Sequence, residues 1–438
     1  MREFPVHRSL DTAWTQDAPT TWERTYLGHV VDVLGGATPS KDEPSYWDGE
    51  VPWVSPKDMK VLRIFDSEDH VSASALAGSA LRGIAPGSVL MVTRGMILDH
   101  TVPIALAMRP LTINQDMKAL VPRSGLHGDF LSWLLVGLNP AILARVEEAA
   151  HGTKALRTEQ WKKLPLAVPP EPDQRRIADF LDRKTAALDA LIAKKERLVA
   201  LLAEKRQALI TQAVTKGLDP SVPMKDSGVD WIGQVPAHWK IKMLKRDSIV
   251  RRGASPRPID DPKYFDEAGD YGWVRISDVT ESDGFLLVTE QRLSDVGANL
   301  SVKLAPGSLF LSIAGSVGKA CIAGINCCIH DGFVYFPELS AEPAFLKYIF
   351  DSGQAFGGLG KFGTQLNLNT EIVGSIQVPF PARDEQKRIV EYIRQELRRL
   401  DGVSTRITDQ LARLREYRQA LITAAVTGQL DVSGEARG

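Results

Sequence analysis

The sequence predicts an α+β chain built twice: two similar mixed α/β domains related by pseudo-two-fold symmetry and joined by two long antiparallel coiled-coil helices. Three observations lead there. The phrase RQALITQAVTKGLD at 206–219 returns as RQALITAAVTGQLD at 418–431, identical at eleven of fourteen positions and displaced by 212 residues. Weaker self-similarity joins the rest of the two halves, at offsets that hold within blocks and shift between them, as loop insertions produce between two copies of one fold. Ahead of both phrases, apolar residues recur every seven positions, the spacing of a coiled-coil seam.

At 438 residues the chain exceeds what one hydrophobic core organises, so at least two domains are expected. Apolar residues make up 44% and charged residues 24%, which argues against disordered and fibrous classes. The opening MREFPVHRSLDTAW has no apolar run of signal-peptide length. The most apolar stretch, FLSWLLVGLNPAILA at 130–144, is broken by Asn139 and Pro140 and falls short of the about 20 residues that span a bilayer. It reads as a buried helix, and a cytoplasmic protein without membrane contact is expected. Cys321, Cys327 and Cys328 lie near His330, but no CxxC spacing is present. They read as small core residues, with neither metal nor disulfide expected.

Each half carries the same parts in the same order. A lead-in comes first, in which Trp14, Pro19 and Trp22 match Trp231, Pro236 and Trp239 at an offset of 217. A body follows. PWVSPKDM around Trp53 matches GWVRISDV around Trp273, and APGSVLMVTRG (85–95) matches APGSLFLSIAG (305–315), both at an offset of 220. GSVLMVT, IALAM, GSLFLSI and KACIAGI read as short strands around glycine turns, and DFLSWLLVGL and PAFLKYIFDS as helices. Late in each body, Gly152 of HGTKAL matches Gly363 of FGTQLN.

A long helix closes each half. Pro172 and Asp173 start the first, and Pro381 with Asp384 and Glu385 the second, placing acid where a helix N-terminus favours it. The first seam is Leu181, Leu188, Leu202 and Leu209, interrupted by Lys195; the second is Ile393, Leu400, Ile407, Leu414 and Leu421. Each seam needs an apolar partner, and the simplest is the other helix, antiparallel. Gly217 and Gly428 serve as stops. The expected divisions are 1–170 for the first lead-in and body, 171–217 for the first long helix, 218–382 for the second lead-in and body, and 383–431 for the second long helix.

Catalytic signatures are missing. GSVGKA at 315–320 lacks the spacing of a phosphate loop and the hydroxyl residue after Lys319, and no GxSxG elbow, HExxH pair or dinucleotide glycine fingerprint occurs. NPAI at 139–142 is not the Asn/Asp-Pro-Pro-aromatic tetrapeptide of an adenine methyltransferase. A non-catalytic binding protein is the expectation. With a net charge of −1, any nucleic-acid signal must be local. The run KIKMLKRDSIVRRGASPRP at 240–258 sets seven basic residues, Arg251 and Arg252 among them, against Asp247. Two pairs of glycine loops matter more: Thr93-Arg94-Gly95 with Ala314-Gly315-Ser316, and Gly152-Thr153-Lys154 with Gly363-Thr364-Gln365. Glycine permits close backbone approach, while Arg, Lys and Gln reach base edges with forked hydrogen bonds. Lys319 beyond the first pair, and Trp53, Lys57 and Arg275 in the matched tryptophan segments, complete the candidate set.

This arrangement resembles the specificity subunits of Type I restriction–modification systems over nearly the whole chain. The resemblance rests on the repeated plan and on KDSGVDWIGQVPAHW (225–239). It rests also on the paired LPLAVPPEPDQRRI and IQVPFPARDEQKRI, and on the two RQALIT…AVT…LD helix ends. It implies that each body is a target-recognition domain reading one half of a split double-stranded DNA target, with the long helices setting the gap. It implies further that the repeated phrases are equivalent docking surfaces for two methyltransferase subunits carrying S-adenosylmethionine. Motor and nuclease subunits using ATP and Mg would join for cleavage, and this chain itself would bind no cofactor. The alternative is a coiled-coil interaction scaffold with two protein- or sugar-binding end domains, distinguished by its indifference to duplex DNA. A third, a self-sufficient methyltransferase or nuclease, predicts activity from the isolated chain.

Overall fold

The computed structural model describes residues 13–149, 152–357 and 368–434. They form two compact units, one from residues up to 196 together with 409 onward, the other from 197–408. The first unit is therefore discontinuous in sequence, and each long helix contributes a part to each unit.

In the first unit, a five-stranded sheet runs in the order Val31–Gly35, Met117–Pro122, Val89–Val92, Ile104–Ala107, Arg63–Ile64. All its pairs are antiparallel except the last. Val89–Val92 and Ile104–Ala107 are buried at every position, which is why they read as unbroken apolar runs rather than alternating ones. A three-stranded sheet, Asp69–Val71, Val51–Val54, Thr112–Ile113, stands beside it. The apolar stretch forms the buried helix Gly128–Gly137 and then a second, Asn139–Leu143, with Pro140 near its start, where a missing N–H costs nothing. No helix among the described residues is long and apolar enough to cross a membrane.

The second unit repeats the plan. Its five-stranded sheet runs Arg251–Arg252, Phe333–Tyr335, Leu309–Ser312, Ala320–Ala323, Phe285–Leu286. The companion sheet has four strands: Gln291–Leu293, Tyr271–Val274, Cys327–Ile329, Val302–Leu304. All three cysteines are free and buried in these strands. Burial pushes the thiols of Cys327 and Cys328 up to about 12 and about 11, so they stay protonated.

The long helices are Glu171–Lys216 and Arg383–Val426. In the first unit Arg418 grips Asp189 with two hydrogen bonds (2.7 and 3.1 Å), Arg415 reaches Glu196 (2.6 Å), and the Lys195 ammonium donates to Gln410 (2.7 Å). Position falls along one helix as it rises along the other, so the segments are antiparallel. In the second unit Arg206 pairs with Asp401. Asp401 lies 212 residues after Asp189, as Arg418 does after Arg206, so one device serves both units. Leu181, Ile393 and Ile407 are buried in the seam; Leu188, Leu202, Leu209, Leu400, Leu414 and Leu421 are half-buried. Lys195 keeps its place in the seam by bonding across it.

The repeated phrase has one interior face. Ile210, Ala213 and Val214 enter the core of the second unit, and Ile422, Ala425 and Val426 that of the first. The Thr423 hydroxyl and the Gln419 amide donate to Gly137 and Val136 carbonyls (2.9 and 3.3 Å), and Gln207 to the Asp351 carbonyl (3.1 Å). These side chains clamp one face of each helix end onto a body, while Gln207, Ala208, Gln212 and Lys216 on the first helix and Ala420 on the second remain exposed. Gly428 closes the second helix at φ 75° against Pro19 and Trp22, and Gly217 the first at φ 71° against Trp239. A Cβ on Gly428 would stand 2.3 Å from Pro19 Cδ, so this stop must be glycine.

Each helix start is held by a buried glutamine. Gln174 accepts from the His127 amide (2.8 Å) and donates to the Gly125 and Pro169 carbonyls (2.8 and 2.9 Å). Gln386, 212 residues on, accepts from the Glu342 amide (2.7 Å) and donates to the Pro381 carbonyl (2.9 Å).

Candidate nucleic-acid interface

Two loops chosen separately in the sequence, 93–95 and 152–154, meet in the first unit. The amides of Thr93 and Arg94 both donate to the Asp116 carbonyl (2.8 and 3.2 Å), and Gly95 donates to the Lys154 carbonyl (3.0 Å). Arg94 also bridges Ala155. Gly95 sits at φ 136°, a conformation that side chains resist, and turns the chain into the short 3-10 helix Met96–Asp99. Leu98 of that turn is buried while Met96 and Ile97 are exposed. Asn139 anchors the far side, accepting from the Thr101 hydroxyl and the Val102 amide (both 3.2 Å) and donating to the Val102 carbonyl (2.6 Å).

The side chains of this tip divide in two. The Arg94 side chain is exposed, with no hydrogen bond or ion pair among the described residues. Lys154 is partly neutralised, its ammonium 3.4 Å from Glu148 and 3.6 Å from Asp99. The backbone carbonyl of Thr153 accepts from the Ala149 amide (2.7 Å), stiffening the loop. Beside the tip lies a cleft of about 610 Å³ lined by Lys57, Lys60, Val61, Ile97 and His100.

In the second unit the corresponding turn is built on Ser312, whose hydroxyl accepts from the Lys319 amide (2.9 Å). Ser316 and Lys319 are exposed, and Val317 packs back against the core. Thr364 and Gln365 lie outside the described residues. Arg251 and Arg252 stand exposed on an edge strand. Their loop is organised by Asp331, which receives the Arg257 guanidinium (3.1 Å) and the Ser255 hydroxyl (3.0 Å) on its carboxylate and Arg252 on its carbonyl.

Two sequence candidates are removed from the surface and two are paired on it. Trp53 is buried, its indole N–H bonded to the Ala37 carbonyl (2.9 Å) and its ring edge-on to Trp47 (5.1 Å). Thr93 is buried and spends its hydroxyl on the Asp116 carbonyl (3.2 Å). Arg275 is paired with Glu290, and Lys57 is held by Asp69 (2.8 Å) and Glu68 (3.2 Å). Their charges are matched by exposed acidic partners within the fold. Sequence reasoning passed over Met96, Ile97 and Asp331. The first two were hidden in an apolar triplet that looks like strand, although only Leu98 goes inside.

A constant frame with unlike tips is the architecture of a duplicated recognition protein. A family model, the Type I restriction modification DNA specificity domain, matches residues 19–199 and 253–413, and the chain belongs to that family. Among curated proteins it is similar to the EcoR124I/EcoR124II specificity subunit of Escherichia coli, 32% identical over 158 residues. It is also similar to the MjaIX specificity subunit of Methanocaldococcus jannaschii, 26% identical over 182 residues. These matches span 36% and 41% of this chain but only 39% and 40% of the relatives' lengths. The EcoBI specificity subunit of Escherichia coli aligns further, 24% identical over 92% of this chain and 80% of its own length.

Solved structures share the fold. A chain from work on complex assembly and conformational transition of the type I R-M system matches with a TM-score of 0.73 at 17% identity, covering 94% of this chain and 100% of that one. The HsdS subunit from Thermoanaerobacter tengcongensis matches with a TM-score of 0.56 at 18% identity, covering 94% and 98%.

Proposed function

We propose that this chain is the specificity subunit of a Type I restriction–modification complex. It reads a split double-stranded DNA target, one half-site per body, and directs adenine methylation or cleavage by partner subunits. The observation that carries this reading is the contrast between repeated frame and unrepeated tips. The glutamine staples, the Arg–Asp helix pairs and the glycine stops recur, while 93–99 and 314–319 share little. A reader of two unlike half-sites needs that division. The scaffold alternative loses ground to the family match.

Two methyltransferase subunits would bring S-adenosylmethionine, and motor subunits ATP and Mg. Leu191, Leu198 and Leu201, exposed on the first long helix, support the presence of a partner there. The near-neutral charge fits a duplex enclosed jointly with partners that supply much of the phosphate contact. The same reading makes the chain cytoplasmic and non-catalytic, so the isolated chain should transfer no methyl group.

The test is genome-wide mapping of methylated adenines in a host carrying the chain with its methyltransferase, against the methyltransferase alone. One new split motif is expected. If the complex forms and no motif appears, the reading is wrong. Arg94→Ala with Lys154→Ala should relax the first half-site only, and exchanging residues 22–164 for those of a relative should replace that half-site only.

A further inference from the structure

We propose that Met96 and Ile97 form an apolar wedge that inserts between stacked base pairs of the first half-site. Selectivity there then depends partly on how easily one base step opens. This rests on the DNA-reading function proposed above and goes further by naming a contact and its kind.

Met96 is 64% and Ile97 42% exposed, side by side on a turn of four residues. Leu98, 1% exposed, fixes that turn from below. The tip is pinned at both ends, by Gly95 bonded to the Lys154 carbonyl and by Asn139 gripping residues 101 and 102. The backbone carrying these two apolar side chains is thus held in place, so the loop itself needs little ordering when they are buried. Arg94, exposed just before them, places a positive charge beside a flanking phosphate. Methionine and isoleucine are side chains suited to part base steps, and pyrimidine–purine steps part most readily.

The duplication decides what the wedge meets. A surface for a partner bound twice would be kept in both bodies, as the helix clamps are. In the second body the corresponding residues are Ala314-Gly315-Ser316-Val317-Gly318, with no large apolar side chain exposed. Only a ligand that differs between the halves fits this asymmetry, and the two half-sites are such a ligand.

The test uses the full chain assembled with its methyltransferase on duplexes carrying the mapped motif. 2-Aminopurine is placed at successive steps of the first half-site away from the methylated adenine, and a fluorophore pair spans it to report bending. The intact complex should raise emission at one step and bend the duplex. Met96→Ala with Ile97→Ala should abolish both and reduce first half-site selectivity on the order of tenfold, leaving the second half-site unchanged. Because both side chains are exposed, the variant should keep the thermal midpoint of the parent, and Met96→Leu should restore emission. Persistence of the signal in the double variant, or unchanged selectivity, overturns the wedge. So does loss of methyltransferase assembly in that variant, which would make the tip a protein contact. Absence of any selective duplex binding by the intact complex would instead sink the underlying DNA-reading function.

Discussion

Replacing Gln174 or Gln386 by leucine should destabilise the unit that contains it by about 1–3 kcal/mol, because each strands a buried amide donor and a carbonyl. Denaturant unfolding of the two variants checks this, and equal losses are expected from equivalent positions. His330 carries a different prediction. It lies between Trp273 (5.8 Å) and Phe333 (4.7 Å), and burial holds it below its ordinary value of 6.5, against the opposing pull of Asp331. The folded protein therefore keeps His330 neutral where the unfolded chain would take a proton. Stability from this group is full above pH 6.5 and falls as the pH drops towards the folded value. His330→Phe should flatten unfolding midpoints measured between pH 7 and 5. At this scale the sequence is least legible. Trp53 and Arg94 look alike as candidates, yet one side chain is bonded inside and the other is exposed, and only tertiary neighbours separate them.

The long helices were legible because their signals are local: a seven-residue apolar period, acids at the start, glycine at the end. The second ends at Val426 rather than 431, since the chain leaves the helix into the turn that Gly428 closes. Similarity says that two segments do the same thing, and burial adds that one face of each closes a core. Ile422→Ala should cost the first unit about 2–5 kcal/mol and Ile210→Ala the second as much. Hydrogen exchange should show each loss confined to one unit. The break at Lys195 shows the same limit, since its bond to Gln410 depends on a residue 215 positions away.

For the molecule as a whole, the doubled α+β plan was readable from offsets alone, because loop insertions shift a register without erasing it. The interleaving of the helices was not, as it requires knowing which helix end meets which body. Under the proposed function, inserting residues within 184–204 should alter the unspecified gap in the methylation motif and leave both half-sites intact, which motif mapping would show directly.

The discontinuity of the first unit has a consequence for how the protein is born. The second unit is one continuous stretch, 197–408, and can finish folding as soon as that stretch leaves the ribosome. The first body emerges earlier but waits for Ile422, Ala425 and Val426, which are made after the whole of the second unit. Until then the surface they cover, around Leu134 and Gly137, is open to aggregation and to chaperones. A chain stopped after Thr408 should therefore hold a protease-resistant second unit beside a first one that binds hydrophobic dye, and the unit translated first would mature after the second.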